Sequence, residues 1–575
     1  FFHRLEKQAR DFPVWWGELY FEYHRGTLTT HAEIKRWNRK CEFLLREAEF
    51  FISLSQWLAP ATTEQPAWPQ DLHTAWQKLL LNQFHDILPG SSILEVYDQA
   101  LSDYRDIAET CERLISRATA QFLPVAQKAP AHALAIFNAL NWERTEPVEI
   151  FLPTTAEEVA IFDSQHRPVP KQVLQKTPSG QRLLIQPQVP ATGYETLTVL
   201  EQKNRQPDSS LKVSQRAMEN RWFRLRLNAN GQILSLWDKQ QAREVMAPGE
   251  KGNVLETYED LPANWEAWDI DADYVYKPLS LFRCREVKVE ETGPLRAAVR
   301  FTHRSENSTI SQRIVLYEAL PRIDFETEVD WHEQRVLLKV AFPVAVLSPH
   351  ATYEIQFGAL ERTTHTNTSW DAARFEVVGH KWADLSEGDY GVSLLNDCKY
   401  GYDVRDHRLR LTLLRSPFPP DPLVAGPHVD YRQATDQGTH RFVYSLYPHA
   451  GNWRQAQTVR RAYELNLPLR CMPLDHRKKL SQPPRFSFLS VDQSNIIMEV
   501  LKPAFDGPGI ILRLYESSGQ RGRCQLRIAP FPQKIELCDL LENPIRAISC
   551  QPDRCQIEYA PFEILTLKLS YGSSD

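Results

Sequence analysis

The chain has 575 residues, of which 42% are hydrophobic and 24% are charged, and this is the composition and length of a globular protein with several domains. Its net charge of −6 gives no basis for binding nucleic acid or an anionic membrane surface. No run approaches the roughly 18 consecutive apolar residues that a transmembrane helix needs. The sequence therefore predicts neither a nucleic-acid-binding protein nor a membrane protein.

The cysteines favour free thiols over a disulfide framework. The nine cysteines include no CxxC pair, and their number is odd. Five of them fall late in the chain, at Cys471, Cys524, Cys538, Cys550 and Cys555. This pattern is typical of buried thiols in an intracellular protein. We therefore expect a cytoplasmic location.

Residues 1–29 predict one piece of an α/β repeat. Helical spacing up to Pro13 is set by Phe1, Phe2, Leu5, Ala9 and Phe12. Residues 15–24 then alternate with the two-residue period of a strand. There is no initiator Met and no signal peptide. We expect the chain to begin in the middle of a repeat and to be the C-terminal part of a longer protein.

Three long amphipathic helices follow. One is predicted from Ala32 to a stop at Pro60, a second after Pro69, and a third from Ile93 onward. Ser91 and Ser92, with Glu95 behind them, predict an N-cap and a capping box for the third helix. Long helices with short connections indicate an antiparallel three-helix bundle, for which a spacer is the plainest role.

The second helix carries a polar pair, His85-Asp86, in the apolar stretch from Lys78 to Gly90. On a helical wheel one stripe contains Trp76, Leu79, Leu80, Gln83 and Ile87, and the opposite side contains Leu81, Phe84 and Leu88 together with His85. A helix that is apolar on two sides is normally buried on two sides. We therefore expect His85 to point away from the bundle toward a second body.

After Pro130 the period changes from near 3.6 to 2. Residues 223–227 and 233–237, joined by a turn that contains Gly231, predict a hairpin. Residues 323–331 alternate apolar and mostly acidic side chains, which predicts the wet face of an antiparallel sheet. Similar short strands continue to Leu569, so β-sandwich modules are expected to form the rest of the chain.

Two loop-like stretches combine indoles with polar groups. The first, from Glu259 to Asp271, contains Trp265 and Trp268 among carboxylates, and the second, residues 380–384, is followed by another polar stretch at 396–402. Flat aromatic faces beside hydrogen-bonding side chains suit a sugar, but exposed tryptophans serve equally well in a contact between domains. From composition, both interpretations remain open.

Four motifs resemble glycoside hydrolase family 38, the class II α-mannosidases, of the bacterial and cytosolic type. They are Gly17 to Thr27, Asn82 to Ser92, Trp265 to Asp271, and Lys381 to Ser386, and they occur in the order that the family has. The similarity covers nearly the whole chain and consists of long runs. The resemblance implies an N-terminal α/β barrel, a three-helix bundle and C-terminal β-sandwiches that fold back onto the barrel.

The predicted fold class is accordingly a multidomain α+β chain, with a remnant of an α/β barrel, a three-helix bundle and then mainly antiparallel β-sandwich domains. The predicted divisions are 1–29 for the end of the α/β catalytic domain, 30–125 for the bundle, 130–204 for a small β domain, 205–465 for a large β-sandwich and 466–575 for a C-terminal β domain.

The resemblance also implies roles for individual residues. Family members are retaining exo-glycosidases with an active-site Zn²⁺, and other divalent ions are an alternative. His85 matches a metal ligand, and Asp86 matches the residue that hydrogen-bonds the sugar. Further substrate-pocket candidates are His24, Arg25, Trp265, Trp268, Asp269, Trp382 and Asp384, for which packing at strand ends and in loops is the alternative role.

The chain departs from the family because no His-x-Asp motif occurs near its start, and the resemblance places that motif, the nucleophilic Asp and the acid/base Asp before Phe1. We expect these upstream, and one ligand does not hold zinc, so the chain alone is expected to be inactive. The predicted function of the whole is retaining, metal-dependent hydrolysis of terminal α-D-mannose residues from mannose-containing oligosaccharides. The alternatives are a non-catalytic carbohydrate-binding or scaffold module and a different metal-dependent hydrolase. A homo-oligomer is left open.

Overall fold

The structure is a computed structural model that describes residues 1–9, 12–58, 68–124, 133–203, 208–418, 434–475, 480 and 482–571. Its α-helices are α1 Phe2–Gln8, α2 Ala32–Leu58, α3 Trp68–Asn82, α4 Leu94–Phe122, α5 Ser369–Ala373 and α6 Thr458–Asn466. Within these ranges no helix is long and apolar enough to cross a membrane.

Helices α2, α3 and α4 form the predicted bundle. Their shared core contains fully buried side chains from each helix, including Leu45, Leu79 and Tyr104. The predicted extent of α2 is confirmed, because its apolar residues recur every three to four positions over its whole length. The capping box predicted for α4 is wrong: the N-cap is Ile93, and no side chain caps the helix there.

The strand predicted for residues 15–24 is wrong. Residues 12–24 contain no strand, and most of their side chains are exposed. A strand needs a neighbour that satisfies its backbone, and no described strand pairs with this segment. Two side chains anchor it instead: Glu18 pairs with Arg362, and the Tyr20 hydroxyl donates to the Glu376 carbonyl at 2.7 Å.

Two sheets enclose a small apolar core and form the small sandwich. The first contains β1 Ala133–Asn138, β3 Ala160–Phe162, β6 Gly193–Leu200, β27 Arg470–Pro473 and β28 Arg485–Ser487, and the second contains β2 Val148–Leu152, β4 Lys171–Thr177 and β5 Gly180–Ile185. Strands β27 and β28 pair with β1 and β6, so the chain returns to this sandwich after building the large one.

Three sheets surround the core of the large sandwich. In spatial order the nine-stranded sheet contains β14 Arg283–Thr292, β15 Arg296–Arg304, β16 Thr309–Tyr317, β17 Ile323–Trp331, β26 Gly438–Ala450, β23 Tyr390–Asn396, β22 Trp382–Ser386, β19 His350–Ile355 and β20 Gly358–Thr363. The six-stranded sheet contains β13 Pro278–Leu279, β12 Val254–Glu259, β18 Val336–Pro343, β25 Arg408–Arg415, β24 Gly401–Arg405 and β21 Val377–Val378. The five-stranded sheet contains β11 Arg243–Glu244, β10 Ile233–Asp238, β9 Phe223–Leu227, β8 Ala217–Glu219 and β7 Lys212–Val213.

The C-terminal sandwich consists of two sheets. One contains β29 Leu489–Val491, β32 Gly522–Ile528, β36 Arg554–Tyr559 and β35 Cys550–Gln551, and the other contains β30 Ile496–Pro503, β31 Ile510–Glu516, β37 Ile564–Ser570, β33 Lys534–Cys538 and β34 Pro544–Ala547. Every named strand pair in the described ranges is antiparallel. The predicted multidomain α+β fold with antiparallel sandwiches is therefore confirmed. The described part of residues 1–29 contains α1 and a short 3₁₀ helix at Gly26–Leu28, and it contains no strand.

Of three further predictions, one is confirmed and two are correct in part. The 223–237 hairpin is confirmed as β9 and β10. On β17, Glu328 and Asp330 are exposed as predicted, but Asp324 is buried because it pairs with Arg322 at 2.9 Å. Cys550 and Cys555 are bonded to each other across β35 and β36, so the prediction of free thiols is wrong for this pair and holds for the other seven cysteines.

Buried cations tie α2 to the sandwiches. The Arg46 guanidinium donates to the Ala139 carbonyl at 3.2 Å and to the Met498 carbonyl at 2.7 Å. The Arg39 guanidinium donates to Asn466 Oδ1 at 3.3 Å and lies over the Tyr400 ring. These carbonyls and side chains belong to the three sandwiches and to α6. Helix α2 is therefore fixed against all three sandwiches.

Candidate active-site surface

The prediction that the His85-Asp86 pair lies inside a helix is wrong. The pair lies in a run of tight turns after α3. Helix α3 ends at Asn82, and residues 83–90, here called the His85 turn, continue through bonds such as Phe84 N–H to the Leu81 carbonyl at 3.0 Å. The His85 side chain is 75% exposed and that of Asp86 is 45% exposed. The turn therefore presents both side chains outward.

Helix α2 holds the backbone of the His85 turn. The Gln83 amide donates to Asn38 Oδ1 and to Glu42 Oε1, both at 2.9 Å. The Lys35 ammonium donates to the carbonyls of Leu88 at 2.9 Å and Pro89 at 3.3 Å, and a third bond goes to Thr30. Burial lowers the pKa of Lys35 to about 7, and three carbonyl acceptors satisfy its three N–H donors.

Asp86 is oriented by its neighbours. Ser91 Oγ donates to Asp86 Oδ1 at 2.8 Å, while Oδ2 faces His85 Nε2 at 3.5 Å. The Tyr97 hydroxyl donates to the Asp86 carbonyl at 3.3 Å, and its ring stacks on His31 with centroids 3.7 Å apart. One carboxylate oxygen is thus engaged, and the other remains accessible beside the imidazole.

Gly90 lets the turn close against the start of the bundle. It has a φ of +88°, and a Cβ at this position would lie 2.4 Å from the Thr30 carbonyl oxygen. Such an approach is open only to glycine without a backbone shift. The His85 turn and residue 30 are therefore in direct contact.

Replacing Gly90 by alanine is expected to destabilise the protein more than the same change at Gly249. Both residues have positive φ, but a Cβ at Gly249 would meet nothing within 4 Å. The left-handed conformation alone costs a non-glycine residue about 1–2 kcal/mol, and the clash at Gly90 adds to that. Urea unfolding of the two variants measures the difference; equal losses of stability would contradict the close contact with Thr30.

Residues 24–30 lie on the other side of this contact. His24 is exposed, with Nδ1 3.1 Å from the Glu22 carbonyl oxygen. Arg25 is buried: its Nη2 donates to the Ala373 carbonyl at 3.0 Å, and its Nη1 lies 3.4 Å from Asp269 Oδ1. Arg25 and Asp269 therefore brace two segments against each other.

Arg415 clamps these segments together. It is fully buried and bonds both carboxylate oxygens of Asp260, at 2.8 and 3.0 Å. The same guanidinium donates to the Asp269 carbonyl at 2.8 Å and to Thr30 Oγ1 at 3.0 Å. Thr30 Oγ1 also donates to the Ala267 carbonyl at 3.0 Å. Through Thr30, the 265–271 segment and the His85 turn are neighbours.

The two indoles of the 265–271 segment differ in exposure. Trp265 is 57% exposed with a φ of +58°, and Trp268 is half-buried. Their rings meet edge to face with centroids 5.7 Å apart. The Trp268 carbonyl accepts from the Thr27 N–H at 3.2 Å. Trp265 is therefore the indole available to a ligand or to another domain.

Trp382 and Asp384 are placed elsewhere, in the interior of β22. Trp382 has no exposed surface and packs on Trp453 at 5.1 Å between ring centroids. Asp384 is 1% exposed and bonds His449 Nε2 at 2.8 Å and Ser393 Oγ at 2.7 Å. Because no sugar reaches a completely buried side chain, the pocket role predicted for these two residues is corrected to a structural one.

The segments meet at Thr30, and their more exposed side chains are together called the His85 surface: His24, His85, Asp86 and Trp265. Its rim includes Leu81 and Phe84, which are 60% and 57% exposed, as the helical wheel predicted for the side away from the bundle. The wheel was wrong for Leu80, which is 59% exposed rather than packed in the bundle, because α3 ends two residues later.

The sequence patterns did not identify Arg415, Asp260 or Lys35. Lys35 lies about 100° from Ile34 on a helical wheel and outside the apolar stripe of α2, so the spacing does not mark it as buried. Arg415 is the last of five residues, 411–415, that are leucines apart from Thr412 and Arg415 itself. Its hydrogen-bond partners lie 146 to 385 positions away, so no local pattern identifies those partners.

The described residues do not complete a zinc site. No group of three or more His, Cys, Asp or Glu side chains among them could hold a metal ion. The His85 turn supplies one imidazole and one carboxylate, whereas zinc takes four donors, or three and a water. The donor types fit zinc, and the number of donors does not.

Three family models match the chain. An α-mannosidase middle domain matches residues 22–122, the C-terminal domain of glycosyl hydrolase family 38 matches 218–423, and the C-terminal β-sandwich domain of the same family matches 495–567. The first of these contains the His85 turn. The second contains the 265–271 segment and β25.

Curated relatives extend the similarity to the whole chain. The human protein called alpha-mannosidase 2C1 is 37% identical over 99% of this chain and 52% of its own length. Alpha-mannosidase G of Dictyostelium discoideum is 33% identical over 99% of the chain and 54% of its own length, and the alpha-mannosidase of Saccharomyces cerevisiae is 31% identical over 98% and 49%. The chain spans about half the length of these relatives.

Solved structures share the fold. A protein of glycosyl hydrolase family 38 from Enterococcus faecalis has a TM-score of 0.80 at 17% identity, covering 99% of this chain and 73% of its own. An alpha-mannosidase from Enterococcus faecalis V583 has a TM-score of 0.78 at 17% identity, covering 95% and 68%. Together with the domain matches, these similarities show that the chain belongs to glycoside hydrolase family 38 and carries its middle and C-terminal domains.

Proposed function

We propose that the chain forms part of an α-mannosidase that removes terminal α-D-mannose residues from oligosaccharides with retention of configuration. The names of the relatives support this proposal. The observation that carries it is the His85 turn: bonds from α2 hold it in place, while the adjacent His85 and Asp86 side chains stay 75% and 45% exposed. A rigid backbone with exposed functional groups is what a preorganised site requires.

His85 is proposed as one ligand of a zinc ion, with the other ligands outside the described residues. Its imidazole is exposed, so the lone pair of one ring nitrogen is available to a metal. Metal-ligating histidines are usually oriented by an acceptor at the other ring nitrogen or beside it. Asp86 stands next to Nε2 and is suited to that task as well as to contact with a sugar.

Asp86 is proposed as the substrate contact. Ser91 fixes one of its oxygens, which leaves Oδ2 to accept a hydrogen bond from a sugar hydroxyl. His24 and Trp265 are proposed to line the same pocket, since both are exposed on the His85 surface. Arg25, Trp268 and Asp269 are proposed to support that lining from behind, because they are buried or half-buried.

The two catalytic carboxylates are proposed to lie outside this chain. Retaining glycosidases need a nucleophile and an acid/base about 5–5.5 Å apart. On the described surface Asp86 is bonded to Ser91, and Asp269 is buried against Arg25, so neither is a free member of such a pair. Turnover of an aryl α-mannoside by this chain alone would contradict this assignment.

Asparagine at position 86 is expected to weaken substrate binding or turnover while zinc is retained. The amide keeps the shape of the carboxylate but loses its charge, and a charge-assisted hydrogen bond is worth about 1.5–3 kcal/mol, or roughly 10- to 150-fold in kcat/KM. Metal analysis and steady-state kinetics on the natural protein measure both. Asp98→Asn, an exposed carboxylate on α4, is the matched control. Loss of zinc from the Asp86 variant would mean that Asp86 is itself a ligand.

The cytoplasmic location and the state of assembly stay proposals. Seven cysteines are free thiols and five of these are buried, which favours a reducing compartment, with the Cys550–Cys555 pair as the exception. Light scattering of the purified protein decides between a monomer and a homo-oligomer.

A further inference from the structure

A small polar pocket lies where helix α6 meets the C-terminal sandwich, and it shares no residue with the His85 surface. Its volume is about 10 Å³. One wall consists of two loops of the C-terminal sandwich, which are bonded to each other because the Ser517 N–H donates to the Asn495 carbonyl at 2.8 Å. Among the described residues, the lining includes the side chains of Arg454 and Arg460 and no carboxylate.

Both arginines reach across the boundary to these loops. Arg454 Nε donates to the Ser518 carbonyl at 2.8 Å. Arg460 Nε donates to the Ser494 carbonyl at 2.9 Å, and its Nη2 donates to the Gln493 carbonyl at 3.4 Å. Neutral backbone carbonyls therefore hold both guanidinium groups at the pocket.

The charge of these two arginines is not neutralised by a paired carboxylate within the described ranges. The pKa of Arg460 is lowered to about 10, first by burial and then by the charge of the neighbouring Arg461. Glu464 acts in the opposite direction, but it is paired with Arg461 at 2.8 Å. A cation that is partly removed from water without a counter-charge is costly. A bound anion would offset that cost.

The unused donors of the two arginines remain accessible. Arginine has five N–H donors, and Arg454 uses only the one at Nε. The Nη groups of Arg454 and Nη1 of Arg460 have no acceptor among the residues that the structure describes, and the protein does not enclose these atoms. They are therefore open to a ligand in the pocket.

A serine hydroxyl and a helix N-terminus add to these donors. Ser518 is 7% exposed, and its Oγ has no partner in the described part of the chain, yet this oxygen keeps surface that is open to solvent. Gln457 and Val459, at the start of α6, also line the pocket, and the N-cap Gln457 makes no side-chain bond to the helix. The positive end of a helix attracts anions.

We propose that this pocket binds one chloride ion, held between the guanidinium groups of Arg454 and Arg460 and the Ser518 hydroxyl. These three groups donate hydrogen bonds, and no lining carboxylate repels an anion. Since a volume of about 10 Å³ has room for about one water-sized group, it suits a monatomic anion rather than a tetrahedral oxyanion. Bonds from a guanidinium to an anion are also stronger than bonds to a neutral acceptor. The ion joins α6 to the C-terminal sandwich, and its binding does not depend on the proposed hydrolysis.

Bromide locates the ion, and a comparison of two salts measures its binding. Crystals of the natural protein soaked in sodium bromide should show an anomalous peak between the two guanidinium groups. Thermal unfolding is then followed in sodium chloride and in sodium gluconate at equal ionic strength, so that charge screening is the same and gluconate is too large for the pocket. Chloride is expected to raise Tm above the value in gluconate, because a ligand that binds only the folded state stabilises it.

Arg460→Met is expected to weaken chloride binding about 10-fold or more, the worth of a charge-assisted hydrogen bond, and Ser518→Ala about fivefold, the worth of a neutral one. Ser518→Ala removes a single oxygen and leaves both arginines, so it keeps the fold even where Arg460→Met fails to fold. Each variant is compared with itself in the two salts, which removes its own change in stability. Arg441→Met, at an exposed arginine on β26, is the matched control and should keep the full effect of chloride. Absence of a bromide peak at the pocket, binding only at molar chloride, or an equal effect of chloride in the parent and both pocket variants would each overturn the proposal.

Discussion

Alanine at position 85 is expected to remove zinc and α-mannoside hydrolysis together from the natural protein, while its metal-free stability stays nearly unchanged. The imidazole is 75% exposed, and its contacts among the described residues are with the neighbouring Phe84 ring and Asp86, so its removal opens no cavity. Exposed substitutions of this kind stay within about 0.5 kcal/mol, which is about 1–2 °C in Tm for domains of this size. Mutation of a residue that only orients a metal ligand lowers the affinity for the metal about 10–100-fold. Loss of a ligand itself should lower it by more.

The experiment separates the metal from the fold by measuring both. Zinc per chain is determined by elemental analysis, and thermal unfolding is compared after a chelator has removed the metal from parent and variant, since bound zinc itself raises Tm. His73→Ala is the matched control, because His73 is an exposed histidine on α3, the helix that leads into the His85 turn. A His85→Ala protein with full zinc content and full activity would contradict the ligand assignment.

Methionine at position 415 is expected to lower the free energy of unfolding by about 3–5 kcal/mol, the largest effect on stability that we predict. Asp260 is 1% exposed, and Arg415 is the cation bonded to both of its oxygens. Removing one partner of a buried ion pair leaves the other charge without compensation in a medium of low polarity. This uncompensated charge accounts for the expected loss of about 3–5 kcal/mol. The backbone of residues 267–269 also loses the donors that hold it beside Thr30.

Arg441→Met provides the comparison in the same sandwich. Arg441 pairs with Glu328 at 2.8 Å, but both side chains are more than half exposed. Exposed pairs contribute about 0–1 kcal/mol. Urea unfolding should therefore separate the two variants by several kcal/mol. If the two midpoints coincide at equal slopes, Asp260 has found another partner, and Arg415 is not the clamp that the structure shows.

Local periodicity was enough to predict the three bundle helices and the hairpin. The period of α2 is carried by its own residues, and the β9–β10 turn is set by residues 228–231, so neither depends on distant partners. The strand predicted for 15–24 has the right alternation, but a strand exists only with a neighbour, and its own residues do not provide one. The end of α3 was missed because residues 83–88 keep a helical apolar pattern while side chains of α2 bind their polar groups.

The candidate site was predictable in part. The resemblance named the His85 turn and the 265–271 segment, and the structure places them in contact through Thr30. It also named Trp382 and Asp384, which are completely buried, and Trp382 belongs to the apolar core that the bundle shares with the C-terminal sandwich. Sequence similarity does not distinguish residues kept for packing from residues kept for chemistry. Burial makes that distinction, and for these two residues it depends on partners as distant in sequence as His449 and Trp453.

Through its hydrogen bonds, Arg46 lets the C-terminal sandwich influence the position of the His85 turn. Arg46 and Met498 are 452 positions apart, yet one hydrogen bond joins them, and the helix that carries Arg46 also carries Lys35. Hydrogen bonds therefore hold helix α2 at two places, one in the C-terminal sandwich and one under the His85 turn. A chain that ended before β30 would lack the contact with Arg46. The His85 turn should then lose its alignment even though every residue within it is still present.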